Sequence, residues 1–499
     1  MVSFNTVEKQ SFRDLITTLD SQYELPGRYY FTKTAVPRAY NRVRSELQNV
    51  ISTVEHFSLT TDMWSSTKMT PYMSLTVHFI DTEWGLQSKC LQTSFLPEDH
   101  TAANLADALQ EALSDWGLDE NKISCITTDS GANVKAAVRN LGWPWLSCFG
   151  HNLNLAVSNT IDKTEKARTD RALAVCRAIN GMFSHSWRRR RELQKAQAEL
   201  GLPEHSLVTD CATRWGYKQK MIDRMLEQRP AINRVLADDR KANVSITWQD
   251  EDVLQSVNKA LKPVSEFTEI LSGENYVTVS SLLPMLHLIK EDTLAPSNED
   301  GQLTASLKAG IIAILDEKYE ALPEESKELM RKATFLDPRY RGNYDPNVDE
   351  TRRIIEEEAV LLGRREQSAQ PVTEQEGGNK DESAEEPPHK RKTLASLLKR
   401  KTGAASTLTV PERVLTEIAT YVQEPESSIN AETDPLVWWK ENQNRLPVLA
   451  KVAKKYLCVC ATSCASERVF STMGNIITPT RSLLKPEMVN MLAFLARNM

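Results

Sequence analysis

The sequence predicts an α/β domain with a mixed sheet, interrupted by a long all-helical insertion and completed by a helical C-terminal region. Three observations predict it. Short segments of period-two alternation cluster between residues 56 and 148. The hydrophobic period then changes to 3.6 and holds for some two hundred residues. Finally, a stretch poor in aliphatics and rich in Glu, Gln, Gly and Lys separates that helical run from a second one at the C-terminus.

The elements follow in order. His56-Phe-Ser-Leu-Thr-Thr-Asp62 reads as a strand, Met73-Ser-Leu-Thr-Val-His-Phe-Ile80 as a second and Leu86 to Leu96 as a third. Asp81-Thr-Glu-Trp-Gly85 supplies turn chemistry between the second and third, so the three should form an antiparallel meander. Thr101 is placed to N-cap a helix to about Trp116, with Leu105, Leu109 and Ala112 on one face and Gly117 as its stop. Lys122–Asp129 reads as a fourth strand, Ala132–Leu141 as a short helix and Trp145–Cys148 as a fifth strand. The resulting order, β-β-β-α-β-α-β, is that of the RNase H-like fold.

Domain boundaries follow from the same changes of pattern. Residues 1–50 read as a small helical segment, a remnant of a larger DNA-binding or dimerisation region, and 51–160 as the first part of the core. A helical insertion spans 161–363, with periodic segments such as Arg171–Phe183, Asp250–Leu271, Val279–Lys290 and Ala305–Leu322. Residues 364–407, with Pro387-Pro388, read as a disordered linker, and 408–499 as the C-terminal region that completes the core.

Composition bounds the function. A hydrophobic share of 40% and a charged share of 26% suit a folded protein. The net charge of −6 gives no global basic field, so DNA would be met by local patches. There is neither an apolar run long enough for a membrane span nor a secretory signal at the start, so no membrane partner and an intracellular, reducing location are expected. The eight cysteines are irregularly spaced and form no disulfide framework. No paired CxxC…HxxxH is present, so no zinc site is expected.

In the β order above, carboxylates at the ends of strands one and four meet side by side, and these are Asp62 and Asp129. Phosphodiester cleavage on this fold uses two Mg²⁺ (or Mn²⁺) ions, and hard cations take oxygen ligands. A third carboxylate should come from a later helix packed on the sheet. Read singly, Asp62 caps a strand, Asp129 opens a turn before Gly131 and any later Glu is a solvated helix residue.

Three stretches change that balance. Leu59-Thr-Thr-Asp62-Met-Trp-Ser65, Thr127-Thr-Asp129-Ser-Gly-Ala-Asn133 and Ala465-Ser-Glu467-Arg-Val-Phe-Ser471 each resemble a signature of hAT-superfamily transposases. Cys148-Phe-Gly-His151, Thr213-Arg-Trp215, Phe335-Leu-Asp-Pro-Arg339 and a block from Pro435 with Trp438-Trp439-Lys440 extend the resemblance over almost the whole chain. It is greatest to the vertebrate branch of BED-type zinc finger domain-containing proteins, although the BED finger, which precedes this region in full-length relatives, is not in this sequence.

The resemblance implies an Asp62, Asp129, Glu467 triad as catalytic and metal-binding residues, with Mg²⁺-dependent DNA cleavage and strand transfer. It also implies self-association through the C-terminal region, as a homodimer or higher oligomer. A domesticated, catalytically silent, dimeric transcription regulator is the alternative, and a SUMO-ligase role is permitted by the resemblance alone.

Further residues carry two readings each. Cys148 and His151 invite zinc, but without a second pair they read rather as supports of the active site or as DNA contacts. Trp215 with Arg214 resembles a family pair that holds flanking DNA, the indole stacking on an unstacked base; the plainer reading makes Trp215 a core residue. Arg188, Arg189, Arg190 and Arg191 suit phosphate contact or a solvated helix face. Lys390-Arg391-Lys392 and Lys399-Arg400-Lys401 read as a nuclear localisation signal, which places the protein in the nucleus. Cys458, Cys460 and Cys464 are expected as small buried residues before the Glu467 helix. Trp438, Trp439, Val469, Phe470, Met488, Leu492 and Leu495 supply apolar surface for core and interface.

Overall fold

A computed structural model describes residues 3–66, 68–211, 215–239, 244–369, 409–425, 432–478 and 484–499. Its centre is a five-stranded sheet of order β3-β2-β1-β4-β5, with β1 Phe57–Ser65, β2 Pro71–Ile80, β3 Leu86–Phe95, β4 Ile123–Thr128 and β5 Trp145–Ser147. β1, β2 and β3 pair antiparallel, whereas β4 pairs parallel to both β1 and β5. This is the β-β-β-α-β-α-β order read from the sequence, and the RNase H-like mixed sheet is present. The first strand, however, runs three residues past Asp62 and is paired as far as Ser65.

Alternation along β1 and β2 sorts the sheet into two faces. Leu59, Met73, Leu75, Val77 and Phe79 belong to an apolar cluster with Val43 and Leu47 of helix Val36–Ser52 and Leu109 and Leu113 of helix Ala102–Trp116. The latter helix begins at the Thr101 cap, whose hydroxyl accepts from the Asn104 N–H, and ends at Gly117 with φ +64°, a left-handed stop. The opposite face bears Ser58, Thr60 and Asp62 on β1 against His78, Thr76 and Ser74 on β2. Such a polar row normally faces water. Here Ser58, Thr60, Ser74, Thr76 and His78 are all buried.

The helical insertion begins with Phe149–Lys163, directly after β5, and continues through long helices that include Lys166–Ser184, Trp187–Leu200, Trp215–Ala237, Trp248–Leu271, Gln302–Glu320 and Glu324–Leu336. Their apolar stripes merge into one large buried cluster, with Leu153, Leu173, Ile222, Leu254, Ile311 and Phe335 among its members. Helix Val348–Ala369 runs beyond residue 364, where the linker was expected to start; Leu361, Leu362 and Gly363 keep the helical pattern going. The remainder of that linker, with Lys390, Arg391, Lys392, Lys399, Arg400 and Lys401, lies outside the described residues.

The C-terminal region brings the chain back to the sheet. Helices Val410–Val422, Pro435–Asn442 and Pro447–Leu457 pack on the insertion, while Cys464–Ile476 and Pro486–Asn498 cover the sheet. Trp439 is fully buried, donates its indole N–H to the Leu336 carbonyl and stacks on Trp84 and Tyr421. Trp438, Val469, Phe470 and Leu492 are likewise buried within the chain. Most of the apolar surface expected near the C-terminus is thus spent on the intrachain core.

Candidate functional site

The parallel register ends at Thr60 opposite Thr127, two residues before Asp62 on β1 and two before Asp129, which follows β4. Both line one hollow of about 250 Å³, with Gly131 and Asn133 from the turn after β4. The Asp129 carboxylate accepts from the Gly131 N–H at 3.1 Å, an Asx turn that holds it at the strand end. Asp62 Oδ1 accepts from the Met63 N–H at 2.8 Å. Asp62 also lines a neighbouring cleft of about 690 Å³, whose walls include His151, Trp215, Tyr217, Lys220 and Glu467. Asp62 thus lines both hollows, one with Asp129 and the other with Glu467.

Glu467 sits in the first turn of helix Cys464–Ile476. That helix is held by its apolar stripe: Val469, Phe470, Met473 and Ile476 pack with Tyr72 and Cys90, and the Phe470 ring stacks on Trp64 with centroids 5.7 Å apart. The segment leading into it is tied to the polar face of the sheet. Ser58 Oγ donates to the Cys458 carbonyl at 2.7 Å, Thr127 Oγ1 donates to the Cys460 carbonyl at 2.7 Å, and the Thr60 and Ser466 hydroxyls meet at 3.0 Å. The Ser463 N–H donates to Cys148 Sγ at 3.3 Å. Hydroxyls on strands thus anchor a segment more than three hundred residues distant in sequence, which explains why the polar row is buried without orphaned hydroxyls.

Cys148 and His151 divide their work. Burial pushes the Cys148 thiol up to about 11, and its sulfur is engaged with Ser463. His151, one turn into helix Phe149–Lys163, lines the cleft; burial lowers its pKa, and the Asp129 and Glu467 carboxylates oppose that shift. Both carboxylates are therefore felt at one imidazole. Cys458 and Cys460 are buried as expected, whereas Cys464 is half-buried and faces the cleft.

The donor chemistry suits a hard divalent cation, because Asp62, Asp129 and Glu467 offer only oxygens. Among the described residues, no three His, Cys, Asp or Glu side chains gather tightly enough to hold a single ion. Asp62 is the residue common to the two hollows that the three carboxylates line.

Trp215 is 4% exposed within the large apolar cluster, with its backbone N–H held by Asn154 Oδ1 at 3.2 Å, and also forms part of the cleft wall. Arg214 lies outside the described residues. The most exposed aromatic of the cleft is Tyr217, 45% exposed and two residues further on, with the half-buried Trp64 also in its wall. Sequence reasoning passed over it, although its place one turn before Met221 and beside Gly216 marks the start of a helix face.

In the arginine run, Arg189 forms an ion pair with Asp239 and Arg190 donates to the carbonyls that end the preceding helix. Arg191 pairs with Glu192 and lies over the exposed Trp187 ring, 4.8 Å from its centroid. Arg188 is exposed and makes no ion pair among the described residues. Two of the four side chains thus brace the insertion, leaving Arg188 and Arg191 outermost.

Family profiles match the chain in three successive parts: a ZBED1 RNase-like domain over residues 60–144, a ZBED1 RNase-like helical domain over 146–260 and the hAT family C-terminal dimerisation region over 417–499. Among curated relatives, human zinc finger BED domain-containing protein 4 is 25% identical over 99% of this chain and 42% of its own length. The putative AC transposase of Zea mays is 24% identical over 98% of the chain and 62% of its own length. Mouse zinc finger BED domain-containing protein 6 is 25% identical over 99% and 53% respectively. The chain spans about half the length of these relatives. With sheet, helical insertion and C-terminal region matched in order, the chain belongs to the hAT family, on the branch of the BED-type zinc finger proteins.

Proposed function

We propose that this chain is the DNA-handling core of a hAT-type transposase, with Asp62, Asp129 and Glu467 as the ligands of Mg²⁺ or Mn²⁺ ions that serve strand cleavage. The observation that supports this reading is that Asp62 and Asp129, at neighbouring ends of the parallel strands β1 and β4, line one hollow, while Asp62 and Glu467 line the adjoining cleft. Bound ions supply an activated water or hydroxyl and stabilise the leaving oxygen. The protein's own contribution is positional. Burial lowers the His151 pKa and so favours the uncharged imidazole, which offers an N–H or a lone pair. Tyr217 presents a ring for an unstacked base, and Lys220, which also pairs with Glu269 at 3.1 Å, lies one turn away for phosphate. Arg188 and Arg191, the outward side chains of the arginine run, are further candidates for phosphate contact.

The match to a dimerisation region supports self-association, and the two basic tracts at 390–392 and 399–401 support residence in the nucleus. A second reading, a dimeric DNA-binding regulator without cleavage, is favoured by the lack of a closed three-ligand cluster among the described residues. One experiment separates them: a Mg²⁺- or Mn²⁺-dependent nicking assay on DNA bearing the gene's own flanking inverted repeats, comparing the natural protein with Asp129→Ala. Metal-dependent cuts lost in the variant support the first reading. Binding without cuts selects the second, and neither binding nor cutting overturns both.

A further inference from the structure

The polar face of the sheet holds a node at which four buried side chains meet. Thr60 Oγ1 lies 3.0 Å from Ser466 Oγ and 3.2 Å from His78 Nε2. Thr76 Oγ1 lies 3.2 Å from the same His78 nitrogen and 3.4 Å from Ser466 Oγ, and the two threonine hydroxyls are hydrogen-bonded to each other. All four residues are at most 2% exposed, and His78 Nδ1 is buried without a partner.

A polar node of this kind is a costly way to fill a core. Valines and leucines would pack the same space with no donor left unsatisfied. What a hydroxyl–imidazole cluster gives that an apolar one does not is a single relative placement of the elements it joins, since hydrogen bonds are directional and a slip of a few tenths of an ångström breaks several at once. The elements joined here are specific. Thr60 stands two residues before Asp62 on the same face of β1, and Ser466 immediately precedes Glu467. Thr76 and His78 complete the node from β2, so the Ser466 hydroxyl is referenced to two strands at once.

We propose that Thr60, Thr76, His78 and Ser466 are positioning residues that set the Glu467 carboxylate relative to Asp62. This rests on the reading of Asp62, Asp129 and Glu467 as metal ligands. None of the four lines either hollow; Thr60 and Ser466 act through Asp62 and Glu467 on their own elements, and Thr76 and His78 act through those two hydroxyls. Thr60→Val and Ser466→Ala remove hydroxyls from the two sides of the node with little change of volume, and Thr60→Ser keeps the hydroxyl.

The test titrates Mn²⁺ into the natural protein and these variants, following free Mn²⁺ by electron paramagnetic resonance. DNA affinity and thermal unfolding are measured in parallel. The expected result is a loss of Mn²⁺ affinity of about tenfold or more in Thr60→Val and Ser466→Ala, recovery in Thr60→Ser, DNA affinity within twofold and cooperative unfolding throughout. If Thr60→Val does not fold, Ser466→Ala decides alone, because it changes only the helix side. Variants that bind Mn²⁺ as the natural protein does overturn the positioning role and leave the metal reading standing. A natural protein that binds no Mn²⁺ overturns the metal reading and this assignment with it.

Discussion

At the residue scale, Trp215 and Tyr217 show why exposure decides between readings that residue type leaves even. The indole is packed among insertion helices, so Trp215→Ala should destabilise the fold by about 3–5 kcal/mol, seen as a lower denaturation midpoint. Tyr217→Ala should leave that midpoint in place and weaken binding of DNA with unpaired bases by about 1–3 kcal/mol, roughly five- to 150-fold, in a fluorescence anisotropy titration. The titrating residues make a second prediction. Burial lowers His78 and His56 to about 4, and the Lys455 charge adds to the effect at His56. The folded state then binds fewer protons than the unfolded chain between pH 6.5 and 4, so stability falls as pH drops through that window and is unaffected by these groups above it. Urea unfolding between pH 7.5 and 4.5 should show the decline, and His56→Gln should reduce its slope. No sequence rule distinguishes His78 from any other strand histidine, because its environment is assembled from Thr60 and from Ser466, 388 positions further on (466 minus 78).

At the element scale, strand identity and order were legible because β1 and β2 alternate cleanly and Asp81–Gly85 is a strong turn. The destination of the polar face was not. Alternation tells that Ser58, Thr60 and Ser74 share a face, but the usual inference is water, and here the covering layer is the segment from Cys458 to Ser466. The Asp62–Asp129 pairing could be anticipated because it follows from strand order alone. That Glu467 shares a cleft with Asp62 could be expected only from family resemblance, since no periodicity links residue 467 to residue 62. Helix contacts make their own prediction. In helix Gln302–Glu320, a Cβ at Gly310 would come within 2.6 Å of the Thr160 methyl group on helix Phe149–Lys163. Gly310→Ala gains helix propensity but must push these two helices apart, so a net loss of about 1–3 kcal/mol is expected by thermal unfolding.

At the scale of the whole molecule, the insertion is also what ties the C-terminal region down. Glu358, on the last described insertion helix, accepts from Lys332, Lys455 and Tyr456. Burial alone would raise its carboxyl, yet the Lys455 and Lys332 charges bring it down to about 2. Its stabilising share is present above the usual carboxylate range and is lost as pH falls from about 4.5 towards 2. Deleting residues 409–499 should therefore do more than remove a dimerisation region. It bares the hydroxyl face of the sheet and leaves Glu358 without Lys455, and hydrogen exchange in β1 and β2 should rise accordingly. The central claim, that carboxylates from three distant stretches serve one metal centre, has a direct test in Fe²⁺-mediated oxidative cleavage, with Fe²⁺ standing in for Mg²⁺ and fragments mapped by mass spectrometry. Cuts near residues 62, 129 and 467 together, all suppressed by excess Mg²⁺ and by Asp129→Ala, are the predicted result. Cuts that miss any one of the three positions, or that survive excess Mg²⁺, would contradict it.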